Sequence, residues 1–172
     1  MTPEEIARDE PRFRIEEYFL GKTRAYGVFE DRFGKIRRQF VVDILGYDDD
    51  GTFVLDEDFL YADGEREQRT WRIRPIGENG YEGTADDIVG TARGVVVGNT
   101  LNWHYQMDLK VGDGTWRVRF DDWMLLQDDG VLLNRAYVSR WGFQIGSVSL
   151  AFRKEDAPSQ PRADAASAAQ TR

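Results

Sequence analysis

The side chains with the most chemical potential in this sequence are a few acids, one arginine and many large rings, so the first question is which can meet. Along 52–61, Phe53, Leu55, Glu57, Phe59 and Tyr61 fall on one face at strand spacing, and along 65–76 Glu67, Arg69, Trp71 and Ile73 do so. If Ala62-Asp63-Gly64 is a three-residue loop with Gly64 left-handed, Tyr61 faces Glu65 and Glu57 falls opposite Arg69. A charge pair then points into an otherwise apolar side. Taking both ions out of water is costly, so the pair either fixes strand register or forms the polar floor of a binding cavity. In the second role it would anchor a carboxylate, a hydroxyl or a water chain.

Asp121-Asp122-Trp123 is the other acidic feature. Neighbouring strand residues point to opposite sides, so these two carboxylates cannot act together as the paired acids of a glycosidase. Asp122 is expected on the apolar side near Tyr105 and Ala136, accepting a buried hydrogen bond from Tyr105 or Asn134; Asp121 is expected beside Gln106. Trp71, Trp103, Tyr105 and Phe120 are assigned to the same interior, where rings of that size either fill a barrel or line a pocket. The expected ligand-binding set is therefore Glu57, Arg69, Trp71, Trp103, Tyr105, Asp122 and Asn134.

No residue is assigned to catalysis, metal or cofactor. His104 is the sole histidine and is placed on the wetter face, and no Gly-x-Ser-x-Gly elbow occurs. Asp48-Asp49-Asp50-Gly51 lacks the spaced ligands of a calcium loop and reads as a turn. Gly90, Gly94 and Gly98 lie in strand-like sequence with no following helix, so they are no phosphate loop. Arg66, Arg72 and Arg74 make a basic strip on the outer face of 65–76.

The elements that must position these groups are strands. Gly-bearing turns divide residues 23–154 into about ten strands joined by short hairpins, without a helix long enough for a parallel crossover. Two hairpins carry explicit registers. Gly98-Asn99 sets Val97 beside Thr100 and Gly94 beside Trp103; Asp113-Gly114, with Gly112 opposite Thr115, sets Met107 beside Phe120, Asp108 beside Arg119 and His104 beside Trp123. Broken alternation near Gly146 predicts a bulge. An open meander this apolar would leave two adhesive edges, so the expected fold is all-β, an antiparallel up-and-down barrel of about eight to ten strands. A two-sheet sandwich is the alternative. Thr2-Pro3-Glu4-Glu5 reads as a capping box for a short N-terminal helix ended by Pro11. Phe13, Ile15, Tyr18 and Phe19 follow as one helical turn or as a lid across a barrel mouth. The expected division is a helix and leader over 1–22, the barrel over 23–154, and a disordered tail over 155–172 whose composition is alanine, proline and small polar residues.

With 172 residues, 41% of them hydrophobic, one domain with a substantial core is expected. A formal charge of -8 disfavours nucleic acid or an anionic membrane as the main partner, since both repel it on average. The absence of cysteine removes disulfides, thiolate metal sites and a cysteine nucleophile. No apolar run reaches signal-peptide or membrane-spanning length, so a cytoplasmic protein without an integral membrane segment is expected.

Tyr81-x-Gly83-x-Ala85-Asp86, Gly98-Asn99-x-Leu101-x-Trp103-x-Tyr105, Phe120-Asp121-Asp122-Trp123-Met124 and Asn134-Arg135-Ala136 carry a resemblance, together with Leu55-x-Glu57-x-Phe59, Asp63-Gly64 and Arg69-x-Trp71. Over residues 16 to 154 the chain resembles a bacterial family of unknown function, domain-of-unknown-function family 3833. That family is similar to lipocalin-like (calycin) barrels, and many of its members look like lipoproteins. The resemblance implies a barrel and emphasises Glu57, Arg69 and Asp122, without supplying a reaction. The leading expectation is a noncatalytic barrel binding a small hydrophobic or amphipathic molecule, fatty-acid-like or isoprenoid. The alternatives are an enzyme of lipid or secondary metabolism using a buried carboxylate, Asp122 or Glu57, and a filled barrel serving as an interaction module.

Overall fold

Ten strands follow one another through tight turns: β1 (Gly21–Asp31), β2 (Ile36–Asp49), β3 (Thr52–Tyr61), β4 (Arg66–Ile76), β5 (Gly80–Thr84), β6 (Ile88–Val97), β7 (Thr100–Val111), β8 (Gly114–Leu126), β9 (Leu132–Arg140) and β10 (Phe143–Lys154). The structure is a computed structural model and describes residues 1–155. The tail expected beyond the barrel lies, Glu155 apart, outside the described residues. Each strand pairs antiparallel with its neighbour in sequence, and β10 returns to β1 from Thr23↔Lys154 to Asp31↔Gly146. The result is a closed up-and-down barrel, lipocalin-like, and not a sandwich.

The turns explain the registers. Gly64 is left-handed, the Tyr61 N–H bonds the Glu65 carbonyl, and Glu57 pairs with Arg69 as expected. Gly98 takes a positive φ, Val97 pairs with Thr100, and Trp103 lies beside Gly94. A Cβ at Gly94 or Gly83 would press into the Trp103 indole, so these two glycines make room for the ring. The β7–β8 hairpin differs from expectation. Its turn residues are Gly112-Asp113, because Gly112 takes the positive φ, and Val111 pairs with Gly114. Every face is preserved and every partner moves by two: Tyr105 pairs with Phe120, Asp108 with Arg117, and His104 with Asp121 where Trp123 was expected. Asp121 accordingly lies beside His104 and not Gln106. The bulge near Gly146 is present as a register shift between Gln144 and Gly146.

The N-terminal residues close one end of the barrel. The first helix, α1 (Pro3–Ile6), starts with the Thr2 N–H bonded to the Glu5 carboxylate at 2.8 Å, and ends well before Pro11. A single turn, α2 (Ile15–Tyr18), then lies across the mouth, so the leader is both a helical turn and a lid. Phe13, Ile15, Tyr18 and Phe19 are buried there, with Phe19 edge-on to Phe152 at 5.7 Å. The strap is tied to the turns around that end. The Phe13 N–H bonds the Gly98 carbonyl at 2.9 Å, Arg14 donates to the Glu78 carbonyl at 2.9 Å, and the Tyr18 hydroxyl donates to the Gly130 carbonyl at 2.9 Å. The opposite end, formed by the β1–β2, β3–β4, β5–β6, β7–β8 and β9–β10 turns, has no such cover among the described residues.

Candidate functional site

Inward-facing side chains change character along the barrel axis. Near the strap Ile44, Phe53, Leu55, Ile73, Val96, Leu101, Leu132 and Phe152 are buried. Midway, Trp71 meets Trp103 edge-on at 5.7 Å and Tyr105 at 5.3 Å, and Tyr105 stacks on Phe120 at 4.9 Å. Toward the open end Phe29, Phe40, Phe59, Leu109, Ile145 and Val148 still face inward but are only partly buried. The middle of the barrel is thus filled by rings, whereas the mouth at the open end, its funnel, is lined by apolar side chains that stay partly accessible to solvent, with Phe40, Phe59 and Tyr61 in ring contact. A shallow depression of 830 Å³ on the outer wall, across Tyr26, Val41, Leu60 and Ala151, contains none of the seven expected ligand residues.

The floor of the funnel is charged. The Arg69 guanidinium, only 12% exposed, makes a bidentate contact with Asp87 through Nε and Nη2 at 2.8–3.0 Å. Glu67 lies 3.5 Å away and Glu57 3.8 Å away. Glu67 also accepts from the Tyr61 hydroxyl at 2.8 Å, and Arg69 sits over the Phe59 ring. Arg69 is therefore the shared cation of three carboxylates, and its chief partner is Asp87 rather than Glu57. Asp87 comes from the loop between β5 and β6, where no strand periodicity reveals the direction of a side chain. That is why sequence reasoning missed it. Glu67 falls on the inner face by strand alternation, and its spacing from Arg69 puts the two side by side on β4, a signal that the sequence does carry.

Electrostatics follow from this excess of acid. Burial pushes Glu57 up to about 7; Arg69 opposes the shift, while Asp122, Asp87 and Glu67 reinforce it. Burial likewise raises Asp122 to about 6, against hydrogen bonds from Asn134 and Tyr105. The Asn134 bond is direct, Nδ2 to Oδ1 at 3.0 Å, with a second bond from Nδ2 to the Trp123 carbonyl at 3.1 Å. Asp122 lies opposite Ala136 on β9 and Trp103 on β7. Arg69 stays charged: burial disfavours its cation, but the Asp87 hydrogen bonds and the Glu57 charge more than offset that. All seven expected residues thus share one interior, with Glu57 and Arg69 at the funnel floor and Trp71, Trp103, Tyr105, Asp122 and Asn134 packed in the layer below. On the outside, His104 contacts Asn102 at 2.6 Å and Asp121 at 3.4 Å, while Arg72 and Arg74 of the basic strip engage Asp49 and Thr52. No cluster of metal-ligating side chains occurs among the described residues. None of their helices is long and apolar enough to cross a membrane.

Fold and site define a lipocalin-like, ten-stranded up-and-down barrel, sealed at one end and open at the other over an arginine held by three acids. The chain belongs to the DUF3833 family, proteins of unknown function, which matches residues 1–154 and so includes the strap. Among solved structures, the S-type phycobiliprotein lyase CPES from Guillardia theta is similar in fold, with a TM-score of 0.58 at 10% identity. The alignment covers 80% of this chain and 88% of the lyase chain. No curated protein matches the sequence.

Proposed function

We propose that this protein binds a small, largely apolar molecule in the open funnel, with the ligand's polar group set against the Arg69 cluster. One observation carries the reading: inward-facing rings and aliphatic chains are buried near the strap but partly exposed at the open end, above a polar floor. Charge narrows the ligand. Arg69 is already held by Asp87 and flanked by Glu57 and Glu67, so an incoming carboxylate would meet more anions than free donors. A hydroxyl or amine would instead donate to these acceptors. An isoprenoid-like alcohol therefore suits the floor better than an ionised fatty acid, which departs from the carboxylate anchor considered from sequence.

The test is titration of the purified protein with three probes sharing one chain, a long-chain alcohol, amine and fatty acid, followed by tryptophan fluorescence. The expected order at mildly alkaline pH places alcohol and amine ahead of the acid, with Phe59→Ala weakening all three. Absence of saturable binding by every probe would overturn the reading, and tighter binding of the acid would overturn the assignment of the polar group.

A further inference from the structure

The rim of the open end is chemically divided. The turn regions 30–37, 108–119 and 140–146 carry seven arginines and lysines against four acids, in a chain whose totals are 23 basic and 31 acidic residues. The remaining two, 61–67 and 84–88, carry five acids and one arginine, and two of those acids, Glu67 and Asp87, reach inward to Arg69. The basic group is contiguous around the barrel, because β7, β8, β9, β10, β1 and β2 follow one another in the ring. Its β1–β2 turn touches β10 directly, with the Arg32 N–H bonded to the Ile145 carbonyl at 3.1 Å.

This basic arc also presents large apolar side chains to water: Trp141 is 82% exposed, Phe33 79% and Phe143 72%. Trp116 is partly exposed on the adjoining strand, and the Arg140 guanidinium lies between two indoles, 4.1 Å from the Trp116 ring and 4.0 Å from that of Trp141. Arg32 similarly covers Phe33 at 4.6 Å. Trp141 is placed there against local preference. Trp141 and Gly142 have φ of 52° and 81°, a pair of left-handed residues in a two-residue hairpin, where Asn-Gly or Asp-Gly is the favoured sequence. The β2–β3 turn has nearly the same φ pair and fills it with Asp50-Gly51. A bulky ring held in a disfavoured conformation, and left 82% exposed despite its contact with Arg140, points to a role outside the chain.

We infer that this aromatic and basic arc docks the open mouth on the surface of an anionic lipid bilayer. Rings at hairpin tips reach the level at which tryptophan and phenylalanine partition into the headgroup region, and the neighbouring arginines and lysines meet the lipid phosphates. The acidic sector stays turned toward water. Overall charge of the molecule does not oppose this, because at physiological salt a surface senses charges within about one Debye length, roughly 8 Å. Docking depends on the rim alone, not on what occupies the funnel.

The test is co-sedimentation of the whole chain with vesicles of phosphatidylcholine and with vesicles of equal parts phosphatidylcholine and phosphatidylglycerol. Wild type is expected to bind the anionic vesicles about tenfold better than the neutral ones, with a blue shift of tryptophan emission and release by salt. Trp141→Asn with Phe143→Thr suits the turn and should lose binding by at least about tenfold while retaining the wild-type melting temperature. Lys35→Gln with Arg140→Gln should remove the preference for anionic lipid. Wild type remaining in the supernatant, or the aromatic variant binding like wild type, overturns the inference. So does a wild-type dimer in sedimentation velocity that becomes monomeric in the aromatic variant without either binding vesicles, since the arc would then join two copies of the chain.

Discussion

Glu57→Gln tests the electrostatics of the funnel floor most directly. The native carboxyl titrates at about 7 against an ordinary 4.5, so the folded protein holds this proton more tightly than the unfolded chain. Stability contributed by the protonated acid is present at low pH and is lost as pH rises from 4.5 through about 7. That interval corresponds to about 3 kcal/mol, of which about 2–3 kcal/mol falls between pH of about 5 and about 8. Glutamine reproduces the shape of the protonated acid and does not titrate. Urea unfolding of both proteins across this range, followed by tryptophan fluorescence, should therefore show wild type losing about 2–3 kcal/mol relative to the variant as pH rises. Asp122, also displaced upward, titrates in both proteins, so only its charge coupling to Glu57 enters the comparison. Parallel stability profiles would refute the reasoning, because they would mean that Glu57 ionises in the folded protein without penalty.

Arg69→Met should cost about 3–5 kcal/mol of stability by leaving Asp87, Glu57 and Glu67 without their shared cation. Arg69→Lys should recover only part of that, since an ammonium cannot match the bidentate Asp87 contact; urea midpoints of the three proteins decide it. Gly94→Ala should cost about 1–3 kcal/mol through overlap with the Trp103 ring. A thermal melt of Gly94→Ala with Trp103→Leu should show a smaller loss than the sum of the two single changes. At Gly46 an added Cβ would collide with the Phe19 carbonyl, so Gly46→Ala should lift the strap. Accelerated proteolysis confined to residues before β1 is the expected readout, and an unchanged digestion pattern would count against that packing.

What the sequence disclosed depended on how tightly each feature is fixed locally. Glu57 opposite Arg69 was legible because alternation on both strands and the left-handed Gly64 leave one register. Gly94 beneath Trp103 was legible for a similar reason, through Gly98-Asn99. In the 112–114 segment, Gly112 and Gly114 both suit a turn, and only the chain's actual choice of Gly112 decides which side chains meet. Faces survived that ambiguity because a shift of two leaves the pleat unchanged. Asp87 was illegible, since the direction of a loop residue follows from the folded barrel around it. The strap's leader likewise had no single period, because Phe13, Ile15, Tyr18 and Phe19 conform to a circular opening and not to a sheet or a helix face.

The seam between β1 and β10 has a consequence for how the molecule comes into being. Every other strand pair is a hairpin that can form as soon as its own turn exists, whereas the seam joins Thr23 to Lys154. The loop it closes spans nearly the whole barrel, so its entropy cost comes late and its contacts are the least local in the protein. Until β10 is available, β1 and the last completed strand each present unpaired backbone groups, an invitation to pair with another chain. During synthesis, the interval before residues 143–154 leave the ribosome is therefore when this protein is most exposed to misassembly, and when a chaperone has most to shield.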